Sequence, residues 1–367
     1  MWYHLILTEE CNSQCRYCYE KSFKEFDNGL EKKFKFDFSE EKKEIDIEKL
    51  KNFLSKDKNP VVIFYGGEPL LRIDLIKKIT ENINVPFRIQ TNGKLLDKIP
   101  INYLKKIEKI LVSIDGEKER TDFNRGKGTF NLVMKNLNKI KKKGYKGEII
   151  ARMTISTDFP DIDRQVLFLY KSGFSSIHWQ LDVGFYKFDY EKEKIEKFFE
   201  EYNKNIRKLL EFWVAQIEKG KVLKFYPFLG IAESFLKKEK TELRCGAGHS
   251  GYAITLDGKI YACPIMNCIK DFEAGNLDSQ PKKLKKFSCQ EECSDCSYYD
   301  FCGGRCLYWR KAKLWPEEGD KMICDSVKFL IEKIKKQLPR IEKAIKTKKL
   351  SLNDFDYEKY FGPEIIP

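Results

Sequence analysis

The sequence predicts an α/β chain: a partial (β/α)6 barrel followed by a small cysteine-rich domain. Three observations carry this. Short β-like runs alternate with amphipathic segments six times over residues 1–182. Polar and apolar residues alternate inside four of those runs. The twelve cysteines fall into two sets, three at 11–18 and nine at 245–324.

The proposed strands are 3–8, 61–65, 87–92, 110–115, 149–156 and 176–182. Helical stretches lie near 45–56, 70–82, 97–107, 129–143 and 160–172. Successive βα units demand a parallel sheet covered by its helices, curled into a full or partial TIM-type barrel. In 178–182, 152–156, 88–92 and 113–115 a period of two puts each polar set on one sheet face. A closed barrel packs aliphatic layers there. Polar faces instead predict a wide, hydrated lumen. The alternative, strands with one solvent face, fits less well, because βα strands have both faces covered.

This barrel is expected over residues 1–185, and a helical connection over 186–244. Ile195, Phe198, Phe199, Tyr202, Ile206, Leu209, Leu210, Trp213 and Ile217 fall at helical spacing within 190–219, and Gly220 can end that helix. Residues 245–325 are Gly- and Cys-rich with weak periodicity. Such a segment has little core and is expected to depend on bound metal. A C-terminal helix over 327–346 and a tail fill 326–367, with Pro339 a candidate kink.

Composition narrows the class. Charged residues make up 34% and apolar residues 42%, the balance of a folded globular chain. No run approaches the ~18 apolar residues of a membrane span. The first residues have neither a basic region nor a small-residue cleavage site. A cytoplasmic protein is expected, with no membrane contact. The formal charge of +13 raises nucleic-acid binding. The lysines are scattered over many helices, which favours a solvated Lys/Glu surface. Without an export signal, twelve cysteines read as metal ligands, not disulfides.

Cys11, Cys15 and Cys18 form C-x3-C-x2-C directly after the first strand. A [4Fe–4S] cube is normally held by four thiolates, so three leave one iron open. Zinc prefers four ligands in paired knuckles. With Tyr17 as the aromatic before the last cysteine, the triplet resembles the radical S-adenosylmethionine (SAM) superfamily. The resemblance implies that the open iron chelates the amino and carboxylate groups of SAM. One-electron reduction then yields a 5′-deoxyadenosyl radical that abstracts hydrogen from substrate. Gly66-Gly67-Glu68-Pro69 matches the family's GGEP motif, implying contact with the methionyl amino group. Ser113-Ile-Asp115-Gly116 resembles its fourth-strand motif, with Ser113 on the SAM sugar or methionine. Arg125-Gly126-Lys127-Gly128 resembles the loop before the fourth helix. Arg152 resembles the arginine that pairs with the SAM carboxylate, as a guanidinium can through two bonds. The resemblance covers about residues 1–185.

The second cysteine set reads Cys245, Gly258-x4-Cys263, Cys293-x2-Cys296-x5-Cys302-x3-Cys306, Cys324. It resembles the SPASM domain, an auxiliary iron–sulfur module of peptide- and protein-modifying radical SAM enzymes. Zinc knuckles are the competing reading. The resemblance implies an outer [4Fe–4S] cluster on Cys293, Cys296, Cys302 and Cys324. It implies an inner cluster on Cys245, Cys263 and Cys306. Cys268 or Cys289 is the candidate fourth inner ligand, with Cys268 preferred as nearer Cys263 in sequence; the other possibility is an open iron. Eleven thiolates and three cluster cores of about +2 each would remove about 5 charges from the chain.

SPASM enzymes crosslink ribosomal peptides or oxidise a Ser or Cys of sulfatases to formylglycine. The maturases use an aspartate directly after the Gly-x4-Cys cysteine as base. Here Pro264 stands in that place. Many members carry an N-terminal peptide-recognition domain. This sequence opens on its first strand, so that domain is expected to be absent or a separate protein. A low-potential donor of flavodoxin or ferredoxin type is implied. The compact layout resembles archaeal radical SAM/SPASM proteins grouped as peptide modifiers. Histidine is scarce, with only His4, His178 and His249. Asp182 and Gln180, at the end of strand six, are the candidate substrate contacts, since strand C-termini carry the site in βα barrels. The expected activity is oxidative modification of a peptide or protein. A small-molecule substrate and formylglycine formation are the alternatives. Cys15→Ala is expected to abolish 5′-deoxyadenosine formation under reducing conditions. It should spare the fold of the C-terminal domain, checked by product chromatography and circular dichroism.

Overall fold

A computed structural model describes residues 1–18, 29–37, 44–347, 349–361 and 367. The first half is β1 Trp2–Ile6, α1 Ile47–Ser55, β2 Val61–Tyr65, α2 Ile73–Asn82, β3 Phe87–Thr91 and the single turn α3 Ile101–Leu104. It continues through β4 Ile107–Ser113, α4 Lys118–Arg125, α5 Thr129–Lys142, β5 Glu148–Ile155, α6 Ile162–Lys171 and β6 Ser176–Leu181. Each of these strands pairs in parallel with the next, from β1 to β6. α1 shows why such segments become helices. Asp46 caps it by accepting from the Lys49 amide at 2.9 Å, and Leu50, Phe53 and Leu54 form its buried face.

The barrel is open. β6 pairs onward with the two-residue β7 Lys224–Phe225, and β1 pairs on its other side with β8 Gly251–Ile254. β9 Lys259–Tyr261 and β10 Glu273–Asn276 follow antiparallel, so one ten-stranded sheet runs through both domains. The cysteine-rich region therefore shares a core with the barrel, where the sequence had suggested little core. Tyr252, Ile254, Ile260, Tyr308 and Trp309 are all buried in it. Residues 29–37 clamp it from the barrel side. Phe36 bridges Ile269, Lys33 Nζ donates to the Ala312 carbonyl at 2.6 Å, and Lys259 pairs with Asp37 at 2.7 Å.

The helical connection is also part of the barrel's coat. α7 Lys192–Glu218 and α8 Tyr226–Lys237 bring Trp213 against Phe228 at 5.8 Å, and Phe228 in turn packs edge-on against Trp179 of β6 at 5.1 Å. α9 Tyr299–Cys302 and α10 Leu307–Ala312 are short turns around the cysteines. α11 Glu317–Lys346 starts ten residues before the expected 327, which puts Cys324 inside a helix. Ser326 meets Asn203 at 2.8 Å, and Arg340 grips Glu218 at 2.8 and 2.9 Å. The residue numbers rise together, so α11 runs parallel to α7. Among the described residues no helix is long and apolar enough to cross a membrane.

The lumen has two levels, not one hydrated space. Tyr65, Ser113, Arg152 and Thr154 line a cavity at the strand C-termini. Two positions earlier on the same faces lie Ile63, Leu111 and Ile150, which form an apolar layer with Tyr226 and Phe361. Phe361 also packs at a tilt against Trp2, with ring centroids 5.5 Å apart. Glu358 beside it pairs with Arg88 at 3.0 Å and Lys109 at 2.6 Å. The tail expected over 326–367 thus closes the lower barrel. Phe361→Ala is expected to cost about 3 kcal/mol, the usual range for emptying a buried aromatic site. Urea denaturation of the variant against the parent measures it.

Candidate active site

The cavity encloses about 1180 Å³, its open mouth included. Its lining combines Cys11, Cys15, Tyr17 and Cys18 with Gly66, Gly67, Ser113, Arg152, Gln180 and Asp182. Residues from five strand ends and the first loop therefore meet in one place. The cysteines follow β1 directly, on a loop with a Cys18 amide to Cys15 carbonyl bond of 3.1 Å.

One buried carboxylate fixes that loop. Asp115 takes both arms of Arg125, at 2.9 and 3.0 Å. It accepts the Thr154 amide at 2.9 Å and the Tyr17 hydroxyl. Burial holds the Tyr17 phenol well above its ordinary range, so it enters as a proton donor. The Arg125 guanidinium also lies 5.2 Å over the Tyr17 ring. A second anchor is Asn92, whose amide donates to Asn12 Oδ1 at 2.6 Å and lies 3.8 Å from the Cys11 sulfur. The sequence reading named Asp115 only within a motif and missed Asn92 and the role of Arg125. Asn92-Gly93 after a strand was the available signal.

The Gly-Gly-Glu turn works differently from the expectation of direct contact throughout. A Cβ on Gly67 would stand 2.3 Å from the Glu10 carbonyl oxygen and 2.4 Å from that of Glu9. One on Gly66, at φ +141°, would stand 2.2 Å from the Thr8 carbonyl oxygen. The glycines admit the stretch that leads into the cysteine loop, which is held by Gly67 amide to Thr8 carbonyl and Glu68 amide to Glu10 carbonyl bonds of 2.8 Å. Glu68 is behind the wall. Its carboxylate is fully occupied by the Leu70 amide at 3.0 Å, Thr91 Oγ1 at 2.7 Å and the Asn92 amide at 2.7 Å. It pins the turn to β3 and does not reach the cavity.

Arg152 and Gln180 share a hydrogen bond of 2.9 Å across β5 and β6. Asp182 is the one carboxylate among the described residues that line the cavity. Burial, then the charges of Asp189, Asp115 and Asp158, push it well above the usual carboxylate range. Asp189, bonded to Trp315 Nε1 at 2.6 Å, is pushed by burial up to about 7. His4, beside Arg152, is driven down to about 3 by burial and that charge, which leaves it neutral at physiological pH.

The second cysteine set surrounds its own cavities. Cys293, Cys296, Cys302 and Cys324 line one of about 340 Å³ together with Arg305 and Arg310. Cys263 lies beside Cys306 and Cys245, with its thiol pushed up by burial. Cys289 is fully buried, its thiol is pushed up by burial with Cys306 among its electrostatic neighbours, and it packs against Gly304. Cys268, half-buried at φ +66°, sits where its carbonyl takes the Asp37 amide at 2.7 Å. Among the described residues no three His, Cys, Asp or Glu groups crowd closely enough for a single metal ion.

Residues 5–170 match the family model of the radical SAM superfamily. That stretch, from β1 to α6, is where this chain is similar to the radical SAM superfamily. The fold is an α/β partial barrel of radical SAM type with a cysteine-rich C-terminal region. An uncharacterized protein of Archaeoglobus fulgidus is 27% identical, over 85% of this chain and 74% of its own length. A cysteine-type anaerobic sulfatase-maturating enzyme of Clostridium novyi is 23% identical, over 92% and 96%. The solved structure of anSMEcpe with bound AdoMet superposes with a TM-score of 0.70 at 21% identity, covering 95% of this chain and all of that one. SuiB of Streptococcus suis, bound to precursor peptide SuiA, gives 0.52 at 14% identity, over 83% and 71%.

This radical SAM barrel depends on the close contact at Gly67. Gly67→Ala is expected to displace the cysteine loop and lower iron bound at the N-terminal site at least several-fold. Iron bound by the second cysteine set should be retained. Iron analysis of the variant, with and without Cys15→Ala, separates the two.

Proposed function

We propose that this radical SAM enzyme oxidatively modifies a side chain of a peptide or protein, by crosslinking or oxidation. One observation carries the reading. Ile265, two residues beyond Cys263 in the cysteine-rich region, lines the same cavity as Cys11, Cys15 and Cys18. A substrate in that cavity therefore lies between the two cysteine sets. The names of similar proteins support the substrate class: a sulfatase-maturating enzyme, anSMEcpe with the Cp18Cys peptide, and SuiB with its precursor peptide.

In this reading Cys11, Cys15 and Cys18 hold the catalytic [4Fe–4S] cluster. Cys293, Cys296, Cys302 and Cys324 hold the outer auxiliary cluster, and Cys245, Cys263, Cys306 and Cys289 the inner one. The backbone at Gly66 and Gly67, with Ser113 and Arg152, would hold SAM. These groups fit, since a guanidinium on the wall can grip a carboxylate and the thiols surround voids. When bound, SAM with the reduced cluster supplies hydrogen-atom abstraction, and the auxiliary clusters supply a one-electron sink. The two-electron oxidation of substrate also releases a proton, which the chain must take.

Asp182 is the acceptor in this scheme. Pro264 offers none where the maturases have aspartate. Tyr17 and Arg125 are committed to Asp115. Asp182 takes the proton in its ionised form, and Gln180 beside Arg152 orients the same wall. A separate peptide-recognition protein and a low-potential donor of flavodoxin or ferredoxin type complete the system.

The test is anaerobic incubation of reduced enzyme with SAM and candidate peptides. A two-hydrogen mass loss is expected. SAM cleavage with no modified product on any peptide would defeat the reading. Asp182 accepts a proton only when ionised, and its folded pKa is raised. Product formation should therefore climb with pH through that raised limb and fall as pH drops. Asp182→Asn should remove the limb and lower product about 100-fold, with 5′-deoxyadenosine formation retained.

A further inference from the structure

Arg305 is a buried cation with no ion-paired carboxylate; Asp320, held by Trp309 Nε1 at 2.7 Å, acts on it only through space. It is 3% exposed and held at φ +64° between Gly304 and Cys306. Its Nε and Nη1 have no hydrogen-bond acceptor. The other buried arginines have partners: Arg88 pairs with Glu108 at 2.6 Å, Arg125 with Asp115 at 2.9 Å and Arg120 with Asp161 at 3.7 Å, while Arg244 donates to the Phe301 carbonyl at 2.8 Å and Ser234 Oγ at 3.0 Å. Among the described residues Arg305 forms no such pair. What faces it is sulfur. Its electrostatic neighbours include the thiols of Cys306, Cys302 and Cys324, the Asp320 carboxylate and one like charge, Arg310. Arg310 reaches the same sulfurs, with Nη2 2.9 Å from Cys324 Sγ. Both arginines line the cavity of Cys293, Cys296, Cys302 and Cys324.

A guanidinium stays charged and cannot escape burial by losing its proton. Left without a counter-charge it is strongly unfavourable. Arg305 lines the four-thiol void and two of its nitrogens lack an acceptor, so the missing anion belongs there. A cube on four thiolates supplies it, with a net charge of about −2 oxidised and about −3 after taking one electron. We propose that Arg305 is a positioning residue for electron transfer: its fixed positive charge raises the reduction potential of the outer auxiliary cluster. This rests on the cluster assignment proposed above. The added electron is the one lost by the substrate radical, whose proton passes to Asp182, so the oxidation balances. Arg305 also stacks at 5.0 Å on Trp309 and 5.8 Å on Phe185, and Phe185 lines the SAM-side cavity. The rings keep water from screening the charge. Arg305 faces Cys306 of the inner set as well, so the same cation spans both cysteine groups.

The experiment uses the full chain carrying Cys15→Ala, reconstituted anaerobically, which removes the catalytic cluster's signal. An EPR-monitored redox titration compares this parent with Arg305→Met and Arg305→Lys at equal iron content. Arg305→Met should lower the outer-cluster potential by at least a tenfold change in the reduction equilibrium, which is 59 mV for one electron. Arg305→Lys should keep most of the parent value. If Arg305→Met fails to hold iron, Arg305→Gln replaces it, with the same shift expected. An unchanged potential in the neutral variant, or an equal drop in Lys and Met, overturns the proposal. A parent that binds no iron defeats the cluster assignment itself, and that shows in the iron analysis before any titration.

Discussion

The active-site end of this protein depends on the ion pair and hydrogen bonds at Asp115. The carboxylate is buried, so leaving any partner out would be costly. Arg125 from α4, Tyr17 from the cysteine loop and the Thr154 amide from β5 all converge on it. Three segments far apart in sequence are thereby fixed to one atom group. A loop of three cysteines has no regular structure of its own. It acquires a defined place because Tyr17 is tied on one side and Asn92 reaches it from the other. The close approach of Gly66 and Gly67 to residues 8–10 completes the seating.

The barrel is open, and an open barrel has two edges to satisfy. One is covered by β7 and the buried helices α7 and α8. The other is occupied by β8, which carries the cysteine-rich region with it. That pairing brings Ile265 to the cavity wall opposite the first cysteine loop. The same sheet that closes the core therefore sets the relation between the two cysteine sets. At the opposite end, Phe361 and Glu358 seal the lumen through an apolar layer and a small ion cluster. The polar upper level is left as the reactive space.

Much of this was legible along the chain. The six strands lie where period-two patterns and βα alternation put them, to within a few residues. Polar strand faces do line the cavity, through Gln90, Ser113, Arg152, Thr154 and Gln180. What failed to show was anything requiring a distant partner. α4 has few apolar residues, so its pattern is weak, and it forms around Arg120, Asn124 and Arg125, all buried. The hairpin β8–β9 is short and rests on the barrel edge, not on its own periodicity. The early start of α11 was hidden by the acidic stretch at 317–320, which is a favourable first turn but not an apolar one. Glu68 looked like a ligand contact because a motif gives identity and spacing, not direction.

By itself the sequence determined the fold class, the two cysteine sets and the residues on each strand face, because backbone periodicity and thiol spacing are local properties. Only the tertiary structure decided which thiols share a void, that Cys289 is the buried neighbour of Cys306, and that Arg305 is sealed among sulfurs. The physical reason is that burial and charge neighbourhood are properties of packing. A cysteine four residues from another, or an arginine next to one, has the same local sequence whether it faces solvent or a closed cavity.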